Sequence, residues 1–260
     1  MEWLNAILQG ILLGGLYAIF AAGLSLIFGV MRLVNIAHGD IIVLAAYMAL
    51  STTMLLGIHP LLALLVVAPL MAVAGYILQR LVLNRTLGDD ILPPLLVTFG
   101  LSVIIQNVLL ELYSADPQKL NPGELETASL VVGGISLGVL PLVTFVIAVL
   151  IIAGLQYVFY NTALGRAFRA VSDNQNIAQL IGLNKRHVFG LAMALSFVVI
   201  AVAGVLLGMR TSFDPAAGSG RLIFGFEAVI IGGLGNMWGT LIGGAILGVA
   251  QTLGGKVDPG

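Results

Sequence analysis

Seven times between residues 6 and 250 the chain passes through an apolar run of about 20 residues. No other feature limits its possible folds as tightly. The runs fall at roughly 6–30, 37–56, 60–83, 92–112, 137–160, 188–210 and 225–250. Each is long enough to cross the ~30 Å hydrocarbon layer of a bilayer as a helix. Their Val, Ile, Leu and Ala are interspersed with Gly, a mixture common in membrane helices and rarer in soluble ones. Composition excludes a soluble alternative: 59% of residues are hydrophobic and 9% charged, with a mean hydropathy of +1.09, where soluble domains carry about 25% charged residues. The expected fold is all-α, a polytopic transmembrane bundle of about seven to eight spans, some broken or re-entrant. It forms one transmembrane domain over residues 1–260.

The chain has no cysteine, which removes thiol catalysis and zinc–thiolate sites. It opens with Glu2 and Trp3 instead of a basic segment, so the first apolar run reads as a retained helix and not as a cleaved signal. Lys and Arg set the orientation. With the N-terminus outside, Arg32, Arg80, Arg85, Arg166, Arg169, Lys185, Arg186 and Lys256 fall inside, and Lys119, Arg210 and Arg221 fall outside. Residues 113–136 are acidic and polar, carry Pro117 and Pro122, and face outward by the same rule.

The longest inward stretch is 161–187. Within it Ala167, Ala170, Val171, Ile177, Leu180 and Ile181 recur near helical spacing, and Gly182 follows as a C-cap. This predicts one short amphipathic helix at the membrane surface. Glycines four apart (Gly10/Gly14, Gly134/Gly138, Gly204/Gly208, Gly235/Gly239, Gly239/Gly243, Gly244/Gly248) predict close helix packing. The string "IGGLGNMWGTLIGG", with six glycines in fourteen residues, predicts a buried or broken helix.

Nucleotide and metal motifs fail on inspection. Gly233 and Gly235 would need a third glycine at Trp238 to read as a dinucleotide loop, and no strand precedes them. "AQTLGGKV" has Ala250 and Val257 where a phosphate loop requires Gly and Ser or Thr. His38, His59 and His187 form no His-x-x-x-His pair. Neither metal nor cofactor is expected. Polar residues at membrane depth are few, and such residues usually serve function. "NIAHGD" concentrates Asn35, His38 and Asp40 around Gly39. Asp40 either caps the helix that starts there or lines a solute path. His38 can bond a neighbouring helix's carbonyl. Glu227, read as lying near a helix start, has the same two options.

Three stretches together resemble the membrane permeases of branched-chain amino acid ABC importers. They are "LLGGLYAIFAAGLSLIFGVMRLVNIAHGDIIVLAAY", "GRAFRAVSDNQNIAQLIGLN" followed by "AVAGVLLG", and "FEAVIIGGLGNMWGTLIGGAILG". The resemblance implies a bacterial inner-membrane subunit with no enzymatic activity of its own. It implies two cytoplasmic ATP-binding subunits, a second permease (homologous or identical), an extracytoplasmic solute-binding protein and surrounding lipid as partners, with no nucleic acid. It also implies that 161–187 is the loop coupling ATPase to transport, through Gly165, Arg166, Arg169, Ala170, Asp173, Ala178, Gly182, Leu183 and Asn184. Asn35, His38, Gly39, Asp40, Glu227, Gly232, Gly233, Gly235 and Asn236 become the candidate path and gate residues. Members with a similar pattern move urea or short amides. The family has a further hydrophobic segment and a basic tail, whereas this chain stops at "QTLGGKVDPG". A stand-alone channel is the rival reading. An ion-coupled carrier would need more buried acids than Asp40 and Glu227.

Overall fold

A computed structural model describes residues 2–88, 90, 92–132 and 135–257. In chain order the helices are α1 (Glu2–Met31), α2 (His38–Leu56), α3 (Pro60–Leu81), α4 (Leu92–Tyr113), α5 (Val139–Asn161), α6 (Ala163–Asp173), α7 (Gln175–Leu180), α8 (Lys185–Arg210), α9 (Gly218–Gly232) and α10 (Met237–Val257). A small antiparallel hairpin, β1 (Ser129–Val132) with β2 (Ile135–Gly138), folds within the long loop after α4. Gly138 therefore ends a strand and does not pack two helices, and Gly134 lies outside the described residues. Among the described residues, seven helices are long and apolar enough to cross a membrane, as expected where every backbone polar group must be answered without water. His59 caps α3, its Nδ1 accepting from Leu61 N at 3.2 Å.

Two helices form the centre. Of the most apolar 18-residue window, 83% is buried in α1 and 72% in α8, against 22% in α4. Ser196 on α8 donates to Gly23 O on α1 at 3.0 Å, joining the two at mid-length. The outer helices α3, α4, α5 and α10 leave apolar faces exposed, as lipid-facing helices do.

The last apolar run is not one span. It is a hairpin of α9 and α10, and its turn sits beside Gly29 near the end of α1. The extra reversal brings α10 back along α1, so that Lys256 Nζ donates to Glu2 O at 3.0 Å. Lys256 thus lies on the N-terminal side, not the opposite one as the sequence suggested. The basic residues divide seven to three, Arg32, Arg80, Arg85, Arg166, Arg169, Lys185 and Arg186 against Lys119, Arg210 and Lys256, with Arg221 in the first turn of α9 inside the bundle. The bias keeps its direction.

Gly10 and Gly14 of α1 face Gly244 and Gly248 of α10 across backbone, and a Cβ on Gly14 would strike the Gly244 carbonyl. Small residues let helix backbones approach this closely. Gly14→Ala should therefore destabilise the protein by about 1–3 kcal/mol, as overpacked sites do. Gly100→Ala, whose Cβ meets nothing within 4 Å, should be neutral or stabilising by up to ~1 kcal/mol. Thermal unfolding in detergent measures both, and equal stability of the two variants would rule out the α1–α10 seam.

Candidate functional site: two helix starts inside the bundle

After Met31 the chain reverses through Arg32, held at φ 54°, and runs back alongside α1. His38 Nε2 reaches Phe20 O at 2.9 Å. Phe20 precedes Met31 by 11 residues, or about 16 Å of helix. That distance is close to half of a ~30 Å hydrocarbon layer. The "NIAHGD" stretch is therefore not at a cytoplasmic turn. It starts α2 halfway through the bundle.

An irregular segment at this depth must have its polar backbone answered by protein. Asn35 Oδ1 accepts from Ala37 N at 3.1 Å, its carbonyl accepts from His38 N at 3.2 Å, and Thr98 Oγ1 on α4 accepts from Ile36 N at 3.2 Å. Asn35 and His38 are fully buried. Among the described residues, Asn35 Nδ2 and His38 Nδ1 have no partner.

Asp40 does not cap α2. The N-cap is Ala37, which makes no side-chain cap bond. Asp40 Oδ2 instead accepts from Ser102 Oγ at 2.6 Å and Oδ1 from Gln106 Nε2 at 2.9 Å, both on α4. Its place in the first turn of α2 still sets the carboxylate at the positive end of the helix dipole. It is only 2% exposed, so these bonds replace its hydration. The sequence carried a sign of them. Thr98, Ser102 and Gln106 recur every four residues in a mostly apolar helix, which places them on one face.

Gly39 lies directly against Gly218, the first residue of α9, and a Cβ on either would strike the other strand of chain. α9 thus also starts at the Asp40 level. Its 15 residues span about 22 Å, too short to cross. Glu227 is in its second half, far from the helix start, and is exposed. The sequence placed that start too late because "GSGR" has loop composition. Gly232, Gly233, Gly235 and Asn236 form the α9–α10 turn, at the end of the bundle near Gly29 and away from Asp40. Positive φ at Gly233 (89°) and Gly235 (82°) makes the turn possible, and Asn236 Oδ1 accepts from Gly239 N at 3.0 Å. The candidate path residues therefore separate into a central group, 35–40, and an end group, 232–236.

The 161–187 stretch forms two helices. Asn174 ends α6 and caps α7, accepting from Asn176 N and Ile177 N at 3.0 and 3.1 Å. Gly165, Phe168 and Val171 face the bundle. Ser172 donates to Gly29 O at 2.7 Å, and Arg169 donates to Phe159 O and stacks over Tyr160 at 5.2 Å. Arg166 and Asp173 are exposed, and Ala170 is half-buried. In α7 only Ala178 is buried. Ile177, Leu180 and Ile181 are 57%, 87% and 69% exposed, although periodicity had placed them on the same apolar face as Val171. Gly182 (φ 88°) ends this element, half-buried Leu183 follows, and Asn184 caps α8, accepting from His187 N at 3.2 Å.

In a double-mutant cycle, Asp40→Asn and Ser102→Ala should couple by about 1–2 kcal/mol, since a bond to a buried charge is stronger than the ~0.6 average inside membranes. Unfolding equilibria of the four proteins in bilayer mimetics measure the coupling, and additive effects would mean that the bond contributes nothing.

The family model described as branched-chain amino acid transport system / permease component matches residues 6–258. The high-affinity branched-chain amino acid transport system permease protein BraD of Pseudomonas aeruginosa is 29% identical, covering 98% of this chain and 87% of BraD. A probable branched-chain amino acid transport permease protein LivH of Methanocaldococcus jannaschii is 30% identical over 95% of this chain and 80% of its own length. The fructose import permease protein FrcC of Rhizobium meliloti is 31% identical over 83% of this chain and 61% of FrcC. No solved structure matches. With the match running through both helix starts and the α6–α7 arm, the chain belongs to the branched-chain amino acid transport permease family.

Proposed function

We propose that this chain is the permease subunit of an ABC importer for branched-chain or other hydrophobic amino acids in a bacterial inner membrane. Two cytoplasmic ATP-binding subunits drive it, a second permease pairs with it, and an extracytoplasmic protein delivers the solute. All 260 residues act as one transmembrane unit. The N-terminus is extracytoplasmic, a direction favoured by the seven-to-three division of basic residues.

The observation that carries this reading is the α6–α7 arm. An aqueous surface gains nothing from Ile177, Leu180 and Ile181 standing 57–87% exposed, and such side chains mark a docking surface. Behind them α6 is tied to the end of α1 through Ser172 and Gly29. A push on α7 has a packed route into the helix whose middle holds His38. The chain has no phosphate-binding loop of its own, so ATP is hydrolysed on the partners. Gly165, Arg166, Arg169, Ala170, Asp173, Ala178, Gly182, Leu183 and Asn184 build or border this arm. The solute path passes the 35–40 crossing, and the 232–236 turn lies at its inner end. Glu227, flanked by Ile223, Ile230 and Ile231 on the exposed face of α9, would be costly against lipid, which favours the second permease or a watery path there.

The test is uptake of labelled leucine and urea into vesicles holding the chain with its ATPase and binding-protein partners. Leucine should accumulate only with hydrolysable ATP. Leu180→Asp with Ile181→Asp should reduce uptake at least about tenfold, a loss of ~1.4 kcal/mol or more in coupling. Insertion should be unaffected, because neither side chain packs inside. Downhill flux without ATP would point to a channel, and accumulation of urea in place of leucine would change the solute.

A further inference from the structure

Between α4 and the segment leading into α9 lies a cavity of about 150 Å³, walled by Gln106, Asn107, Leu110, Asp214, Pro215 and Ala216. It is smaller than the ~300 Å³ at which drug-sized pockets begin, so it suits a small group. Its polar lining is one-sided. A carboxylate only accepts hydrogen bonds, so Asp40 fixes which end of the Gln106 amide turns toward it. Nε2 donates to Asp40 at 2.9 Å, and Oε1, which accepts from none of the described residues, is left for the cavity. Asn107 repeats the arrangement. Its Nδ2 donates to Val103 O at 2.8 Å, and its Oδ1 accepts from none of the described residues. Asp214 Oδ1 accepts from Ala216 N at 2.8 Å, and among the described residues its carboxylate has no basic partner. Two amides, each with an N–H committed elsewhere and its oxygen uncommitted, and one carboxylate thus surround a space with apolar walls at Leu110 and Pro215.

We infer that this cavity is a solute subsite for a primary ammonium group, with Gln106, Asn107 and Asp214 each offering an acceptor to one of its three N–H donors. Asp40 is a positioning residue. Pinned by Ser102 at 2.6 Å, it holds the Gln106 amide with its oxygen toward the ligand. The inference rests on the importer reading only in naming the amine, the α-ammonium end of an aliphatic amino acid whose side chain lies along Leu110 and Pro215. The acceptor set disfavours a carboxylate, and its negative charge favours a cation over neutral urea.

The full chain in lipid nanodiscs would be titrated by calorimetry with 3-methylbutylamine, 4-methylpentanoate and urea. Saturable binding is expected for the amine alone. It should weaken at least tenfold in Gln106→Leu and in Asp214→Asn, where the asparagine keeps the turn to Ala216 and so preserves the local fold. Asp40→Asn can donate to Gln106 and so reverse its amide. It should lose amine affinity to a similar extent and discriminate less between the amine and urea, a change of ligand preference that a merely structural role would not produce. Absence of amine binding, preference for urea, or wild-type affinity in both Gln106→Leu and Asp214→Asn would overturn the inference. ATP-driven leucine uptake by the same proteins separates the two readings. Uptake without amine binding removes the subsite and keeps the importer, and amine binding without ATP-driven uptake does the reverse.

Discussion

Two helices begin in the interior of this bundle, and the rest of the architecture depends on how their free N–H groups are answered there. A helix start leaves its first N–H groups without helical partners, and in hydrocarbon an unanswered group is costly. At α2 the Asn35 carbonyl accepts from His38 N, and the segment entering the helix is answered by the Asn35 side chain at Ala37 N and by Thr98 on α4 at Ile36 N. Just ahead of α9, Asp214 answers the approach to the helix, through its carbonyl to Ala217 N and its carboxylate to Ala216 N. The entry to α2 therefore depends on α4, whereas the entry to α9 is held by its own neighbouring residues.

Asp40 stands where these requirements meet. Its carboxylate draws Ser102 and Gln106 from α4, its backbone packs on Gly218 of α9, and its position in the first turn of α2 supplies a favourable dipole. One buried anion is thus held by neutral donors from one helix and by the start of its own. A buried charge without such partners would be strongly destabilising. The peripheral α4, which leaves most of its surface exposed, is joined to the centre by this polar stripe, by buried Ile105 and Leu109, and by Tyr113 against Tyr47 and Ser51.

The α6–α7 arm shows the opposite economy. Its anchoring half is packed and hydrogen-bonded to α1 and α5, while its tip presents three large apolar side chains outward. Rigid attachment combined with an unsatisfied apolar tip suits an element that transmits a partner's movement. The same end of α1 also meets the α9–α10 turn at Gly235. The arm and the second broken helix therefore share one foothold.

The sequence by itself determined the class of fold. Runs of about 20 apolar residues can only be membrane helices, because the length and the absence of water fix the answer locally. It also marked Asn35, His38 and Asp40 as exceptional, and the glycines facing across α1 and α10 as packing sites. The tertiary structure decided where these residues stand. Depth in the bundle is set by how far the chain turns back after Met31, and no local preference encodes that distance. The Asp40 partners come from more than sixty residues away, so a capping role and a bridging role look alike in one dimension. Periodicity placed Ile177, Leu180 and Ile181 on a buried face, because it cannot detect that Asn174 breaks the helix and redirects the second half. The side on which Lys256 lies followed from an extra reversal at Gly233–Asn236, which only the packing of α10 along α1 made visible.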